Sequence, residues 1–290
     1  PIRLQASFPK SISAPSSSPA EFKLFHWNNL NSAGELEGAE IDFGNEACER
    51  MGVECEWVTQ DWDGIIPALL NGKYDIIIAG MSITEERKEK VNFTNGYMTD
   101  GARFAVLKGS GLENLSIAGM DKVNLNGAGG KEQAAIGQLI AAMNGSTVCV
   151  QSATIHQNFL DKHMAGAVKV KLYPGVDEAN LDLIAGRCDA ILADVGSTMD
   201  YMGTDVGANV AFTGPTFSGG VFGDGVGGAV RKEDSDILEM WNKVIAEMLA
   251  DGSLSEITKV HFGRDISCLL YTSDAADDLL CVDLGGRRII

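Results

Sequence analysis

Apolar and polar positions along this chain alternate between two periods. In GAEIDFGNEACERMG, Ile41, Cys48 and Met51 return to one helical face, and Gly52 supplies a C-terminal stop. VECEWV then sets Val53, Cys55 and Trp57 against Glu54 and Glu56, the period of a half-buried strand. DGIIPALLNG predicts a short helix ending at Gly72. Its Pro67 falls near the first turn, where backbone donors are unpaired anyway. YDIIIAG follows as an unbroken apolar run of strand length.

After a polar loop around DKVNLNGAGGKEQ the alternation resumes. TVCVQ, VKVKLY and DAILAD predict strands, and TIHQNFLDKHM, EANLDLIAGR and STMDYM predict the helices between them. GVGGAVRK predicts a further strand. In DILEMWNKVIAEMLADG, residues Ile237, Met240, Trp241, Val244, Ile245 and Met248 keep a helical stripe. Strands alternating with helices imply α/β architecture with parallel sheets. At 290 residues, two doubly wound lobes are the economical reading.

Composition narrows the classes. Hydrophobic residues are 45% and charged residues 22%, ordinary for a globular chain. No apolar run approaches the roughly 20 residues that span a bilayer. A net charge of −17 argues against nucleic acid and anionic membrane surfaces as partners. Cys48 and Cys55 flank a helix stop and a strand start. Either a disulfide or two buried thiols satisfies that spacing.

Both ends stand apart from this pattern. CLLYTSDAADD and CVDLGGRRII, within 268–290, resemble translated adapter sequence from transposon-based sequencing libraries, and their hydrophobics follow no period. That tail is set aside; removing its four Asp and two Arg brings the charge from −17 to −15. At the front, no basic region precedes an apolar one, so no signal peptide is visible. SISAPSSSPA is low-complexity, and residues 1–20 are expected to be disordered or out of frame.

Candidate chemistry lies at strand ends. In AGMSITEER the buried run ends in Gly80, Ser82 and Thr84, with Thr84 at an N-cap position and Arg87 one turn on. Ligands of open α/β sheets bind at such carboxyl ends. Free backbone donors, a hydroxyl and a guanidinium together suit a carboxylate. An ordinary capped helix with a solvated Arg87 fits the same residues. VQSATIHQ repeats the arrangement with Thr154, again open to simple capping. Asp194 ends the run DAILAD, where it could accept hydrogen bonds from an ammonium or cap the next helix. Trp62 in QDWDGII either offers a flat face to a ligand or packs under its loop.

Other motifs exclude. NGAGGKE has Leu125 where a phosphate-binding loop needs glycine, and Glu132 follows Lys131. The four histidines show no metal-ligand spacing, and Cys149 and Cys188 read as buried thiols. No nucleophile–base order stands out. No cofactor is expected.

The run WDGIIPALLNGKYDIIIAGMSITEERKEKVNFTNGY, with QSATIHQNFL, LIAGRCDAILAD and VRKEDSDILEMWNKVIAEMLADGSL, resembles the periplasmic solute-binding proteins of polar amino-acid ABC importers. The nearest likeness is to the lysine/arginine/ornithine, histidine and opine group, over about residues 27–267. It implies a two-lobed, type II "venus flytrap" with two hinge crossovers. Lobe one would be 21–99 plus 218–267, and lobe two 100–217. By motif position Arg87 would clamp a ligand α-carboxylate in the interlobe cleft, helped by Ser82, Gly80 and Thr154. Asp194 would take the α-ammonium, and Trp62 would pack on the ligand side chain. Cys48 and Cys55 fall on a disulfide found in some members. The partners implied are a free amino acid or opine and ABC permease subunits, in the periplasm. The family's first core strand would be replaced by SSSPAEFKLFHW, with Glu21 and Leu24 near side-chain recognition. The rival expectations are a cyclohexadienyl dehydratase-like enzyme, with Asp63 or His156 as acid or base, and a ligand-sensing receptor domain.

Overall fold

The computed structural model describes residues 1–6, 27–31, 33–117, 119–126 and 129–268. The described chain divides into two compact units. One draws on Pro1 to Thr99 and on the chain from Asp224 onward, the other on Asp100–Gly223.

The first unit carries a five-stranded sheet in the order Cys55–Thr59, Ile2–Ala6, Ile76–Ile77, Ala229–Val230, Asn92–Phe93. The helix Ala39–Met51 ends at Gly52 in the left-handed conformation, φ 66°, as its stop pattern predicts. The helix Ile65–Leu70 carries Pro67 at its third position. Ser235–Ala250 buries Trp241, Val244, Ile245 and Met248, four of the stripe's six residues. Phe43 stacks on Tyr97 at 4.5 Å, and its edge meets Trp241 at 5.8 Å.

Two expectations are corrected here. Residues 2–6, placed by sequence in a disordered or out-of-frame front, form the strand between Cys55–Thr59 and Ile76–Ile77, parallel to both. Leu4 and Ala6 are fully buried, and Arg3 pairs with Asp75 at 3.1 Å. The alternation is only five residues long, and pairing on both edges stabilises it. The remainder of that front, Glu21 and Leu24 included, lies outside the described residues. The sheet is also mixed, since Ala229–Val230 runs antiparallel to both of its neighbours.

The second unit carries six strands in the order Lys169–Tyr173, Thr147–Gln151, Ala190–Asp194, Ala102–Leu107, Val210–Ser218, Lys122–Asn124. The first three are mutually parallel, and Ala102–Leu107 is antiparallel to both of its neighbours. Residues 218–223 belong here rather than with the first unit. Val210–Ser218 pairs with Lys122–Asn124, and Phe222 stacks on Phe159 at 5.1 Å. The expected polar loop after Asp121 contains the helix Gly130–Met143, which buries Ala135, Ile136, Leu139 and Met143.

Candidate ligand-binding site

In the first unit the chain leaves the buried run Ile76–Ile78 and turns at Gly80, whose φ of 61° is one that glycine adopts without strain. The Gly80 N–H donates to Glu40 Oε1 at 2.7 Å. The same oxygen accepts the Tyr97 hydroxyl, and Oε2 accepts Asn28 Nδ2 at 2.7 Å. Glu40 is fully buried; burial pushes its carboxyl up to about 7, although all three donors pull the other way. The turn that precedes Ser82 is therefore pinned from beneath. Its Gly80 N–H is committed inside the protein rather than left for a ligand.

Thr84 caps the short helix Glu85–Lys88, its Oγ1 accepting the Arg87 N–H at 3.3 Å. Arg87 does not simply extend into solvent. Its Nη1 donates to the Ser82 carbonyl at 2.9 Å, and its guanidinium lies 5.4 Å from the Trp62 ring centroid. Ser82 is buried and bridges Val226. Ser82, Arg87 and Trp62 are thus one connected cluster, and Gly80 lies two residues before Ser82 in the chain. A guanidinium presents five donors in a fixed fork, and the Ser82 carbonyl accepts from Nη1.

In the second unit Thr154 caps the helix Ile155–His163. Its Oγ1 accepts the Gln157 N–H at 3.3 Å and its hydroxyl donates to the Gln151 carbonyl at 2.8 Å. That is the capping alternative, and it commits the hydroxyl proton internally. Ala153, just before it, has φ 57°, unusual for a residue with a Cβ.

Asp194 behaves in the opposite way. It precedes the helix Val195–Met202, yet its carboxylate caps nothing. Capping falls to Asp100, whose Oδ2 accepts the Gly196 N–H at 2.7 Å. The Asp194 carboxylate is about a third exposed and lies 3.3 Å from Nε2 of the buried His156.

The cysteines pair. Cys48 and Cys55 form a disulfide with Cα atoms 6.2 Å apart. Cys149 and Cys188, expected as buried thiols, are likewise joined, with Cα atoms 5.9 Å apart. Their thiols are 39 residues apart in sequence, and only the packing of Thr147–Gln151 beside the chain entering Ala190–Asp194 brings them together.

Two residues that touch this chemistry, Glu40 and Asp100, were not read from sequence as part of the site, and His156 was read only as a candidate acid or base of the rival enzyme. Glu40 resembles any acid in a helix's first turn, and Asp100 lies between elements. The contacts of the three span 40, 96 and 38 positions, beyond any local pattern.

The chain belongs to the bacterial extracellular solute-binding proteins, family 3, whose profile matches residues 20–264. Its fold is the periplasmic-binding-protein type II fold. It is 37% identical over 236 residues to the L-arginine-binding protein of Pseudomonas aeruginosa, covering 80% of this chain and 82% of that one. It is 38% identical over 210 residues to the octopine-binding periplasmic protein of Rhizobium meliloti, covering 72% and 70%. Among solved structures, an ancestral arginine-binding protein bound to arginine matches with a TM-score of 0.69 and 33% identity, over 90% of this chain and 98% of that one.

Proposed function

We propose that this chain is a non-catalytic binding protein for a free L-amino acid, polar or cationic, or for an opine, which it delivers in the periplasm to the permease of an ABC importer. One observation carries the reading. A guanidinium is held in place at one strand end, and at another a carboxylate is left uncapped. The guanidinium matches an α-carboxylate and the carboxylate matches an α-ammonium, the two charges of a zwitterion. Arg87 grips the carboxylate bidentately and Ser82 adds a hydroxyl donor. Gly80 and Thr154 serve by fixing the turns on either side of these groups. Asp194, from the other unit, takes the ammonium. Trp62 steadies Arg87 and offers its ring to the ligand side chain. The relatives' arginine and octopine support a ligand of that class. A micromolar dissociation constant corresponds to about −8 kcal/mol.

The test is a thermal-shift screen against the twenty amino acids and octopine, followed by calorimetry on Arg87→Ala. A ligand that binds only the folded state raises the melting temperature by mass action. The expected result is a shift with cationic amino acids or octopine, lost in Arg87→Ala while the ligand-free melting temperature holds. A cooperative transition that no compound moves overturns the reading, as does an Arg87→Ala variant with undiminished affinity. Ligand recovered chemically unchanged after prolonged incubation separates binding from dehydratase-like turnover.

A further inference from the structure

His156 sits second in the helix Ile155–His163, is 5% exposed, and lies against the Phe222 ring with centroids 6.0 Å apart. Its Nε2 is buried and has no hydrogen-bond partner among the described residues. Buried polar atoms are nearly always satisfied, so one that is not asks for an explanation. The charged group facing it is the Asp194 carboxylate, with Oδ1 3.3 Å away but outside hydrogen-bond geometry. That carboxylate is itself unoccupied by capping, because Asp100 holds Gly196 instead. The Asp194 main chain is fixed independently: its carbonyl accepts the Ser197 and Thr198 hydroxyls at 3.1 and 2.9 Å. The 3.3 Å separation is within reach of a hydrogen bond, and hydrogen bonds at binding sites often tighten only in the occupied state.

We propose that His156 is a positioning residue for the ammonium-binding carboxylate. From behind Asp194 its Nε2–H engages one carboxylate oxygen and leaves the other aimed at the ligand's α-ammonium. The inference rests on the role proposed above for Asp194. It ties the helix start at Thr154 to the strand end at Asp194, so the two sequence-predicted positions of this unit act through a residue between them.

The test is a double-mutant cycle read by calorimetry with L-arginine, or with octopine should arginine not bind. The proteins are the unaltered chain, His156→Leu, His156→Gln, Asp194→Asn and the His156→Leu/Asp194→Asn pair. Glutamine places an amide N–H near the Nε2 position, whereas leucine supplies no donor. His156→Leu is expected to weaken binding about 10-fold, the order of a hydrogen bond to a charged group. His156→Gln should recover most of that loss. In the Asp194→Asn background, the leucine substitution should add little further loss. A role confined to packing would weaken both backgrounds equally and would not be rescued by glutamine; that result overturns the proposal. In the ligand-free protein, Asp194→Asn should move the His156 ring ¹⁵N resonances, and unmoved resonances overturn the pairing without any ligand. If the unaltered protein binds no compound of the panel, the functional reading fails with the role built on it. If it binds and His156→Leu binds as well, only the role of His156 fails.

Discussion

Glu40→Gln is the substitution whose consequence the structure defines most closely. Glu40 is fully buried, and its carboxyl is raised from 4.5 to about 7, with burial as the largest cause. Between those two values the folded protein holds a proton that the unfolded chain has released. The unfolded state then binds fewer protons, so this residue lowers stability as the pH rises. Its contribution is most favourable below about 4.5, declines through the interval, and is flat above about 7. At 1.36 kcal/mol per pH unit, the interval is worth about 3 kcal/mol. Glutamine stays neutral throughout and can still accept the Gly80 N–H, so the variant should lack this slope. The assay is denaturant unfolding at several values from pH 5 to pH 8, following tryptophan fluorescence. All four tryptophans (Trp27, Trp57, Trp62 and Trp241) lie in the first unit, so the signal reports the unit that contains Glu40. Taking variant minus wild type removes the other titrating groups. That difference should shift by about 2–3 kcal/mol in favour of glutamine between pH 5 and pH 8. A difference that does not change with pH would refute the reasoning.

Three further outcomes follow from packing and backbone geometry. Ala153→Gly relieves a left-handed conformation at an exposed position and should stabilise the second unit by about 1 kcal/mol, seen as a raised melting temperature. Trp241→Ala empties a fully buried site against Phe43 and should cost about 3–5 kcal/mol in denaturant unfolding. Arg231→Met removes the part-buried guanidinium that meets Asp75 at 3.1 Å and Asp234 at 2.6 Å. It should cost about 3–5 kcal/mol at neutral pH. Asp75 is held below its ordinary value, with burial opposing the hydrogen bonds from Arg3 and Arg231 that lower it. Its stabilising share is present above the unfolded value and lost on acidification. The Arg231→Met penalty should therefore shrink as the pH falls, which unfolding at pH 7 and pH 3 checks.

Local pattern determined much of this protein. Periodicity marked Ala39–Met51, Thr147–Gln151, Ile155–His163, Ala190–Asp194 and Ser235–Ala250 close to their observed bounds, because each needs only its own stripe or alternation. The small and hydroxyl residues of AGMSITEER marked a strand-to-helix turn. The run from Trp62 to Tyr97 carried the family resemblance. Tertiary structure alone decided the rest, since it depended on groups far apart in the chain. Ile2–Ala6 becomes a central strand only when both edges are paired, and strand direction follows from where a neighbour enters rather than from its residues. Whether Asp194 caps a helix was settled by Asp100, 94 positions earlier, which occupies the Gly196 N–H and leaves the nearer carboxylate uncapped. Likewise the Gly80 N–H, free by local reasoning, is taken by a buried Glu40 that sequence alone would leave in water.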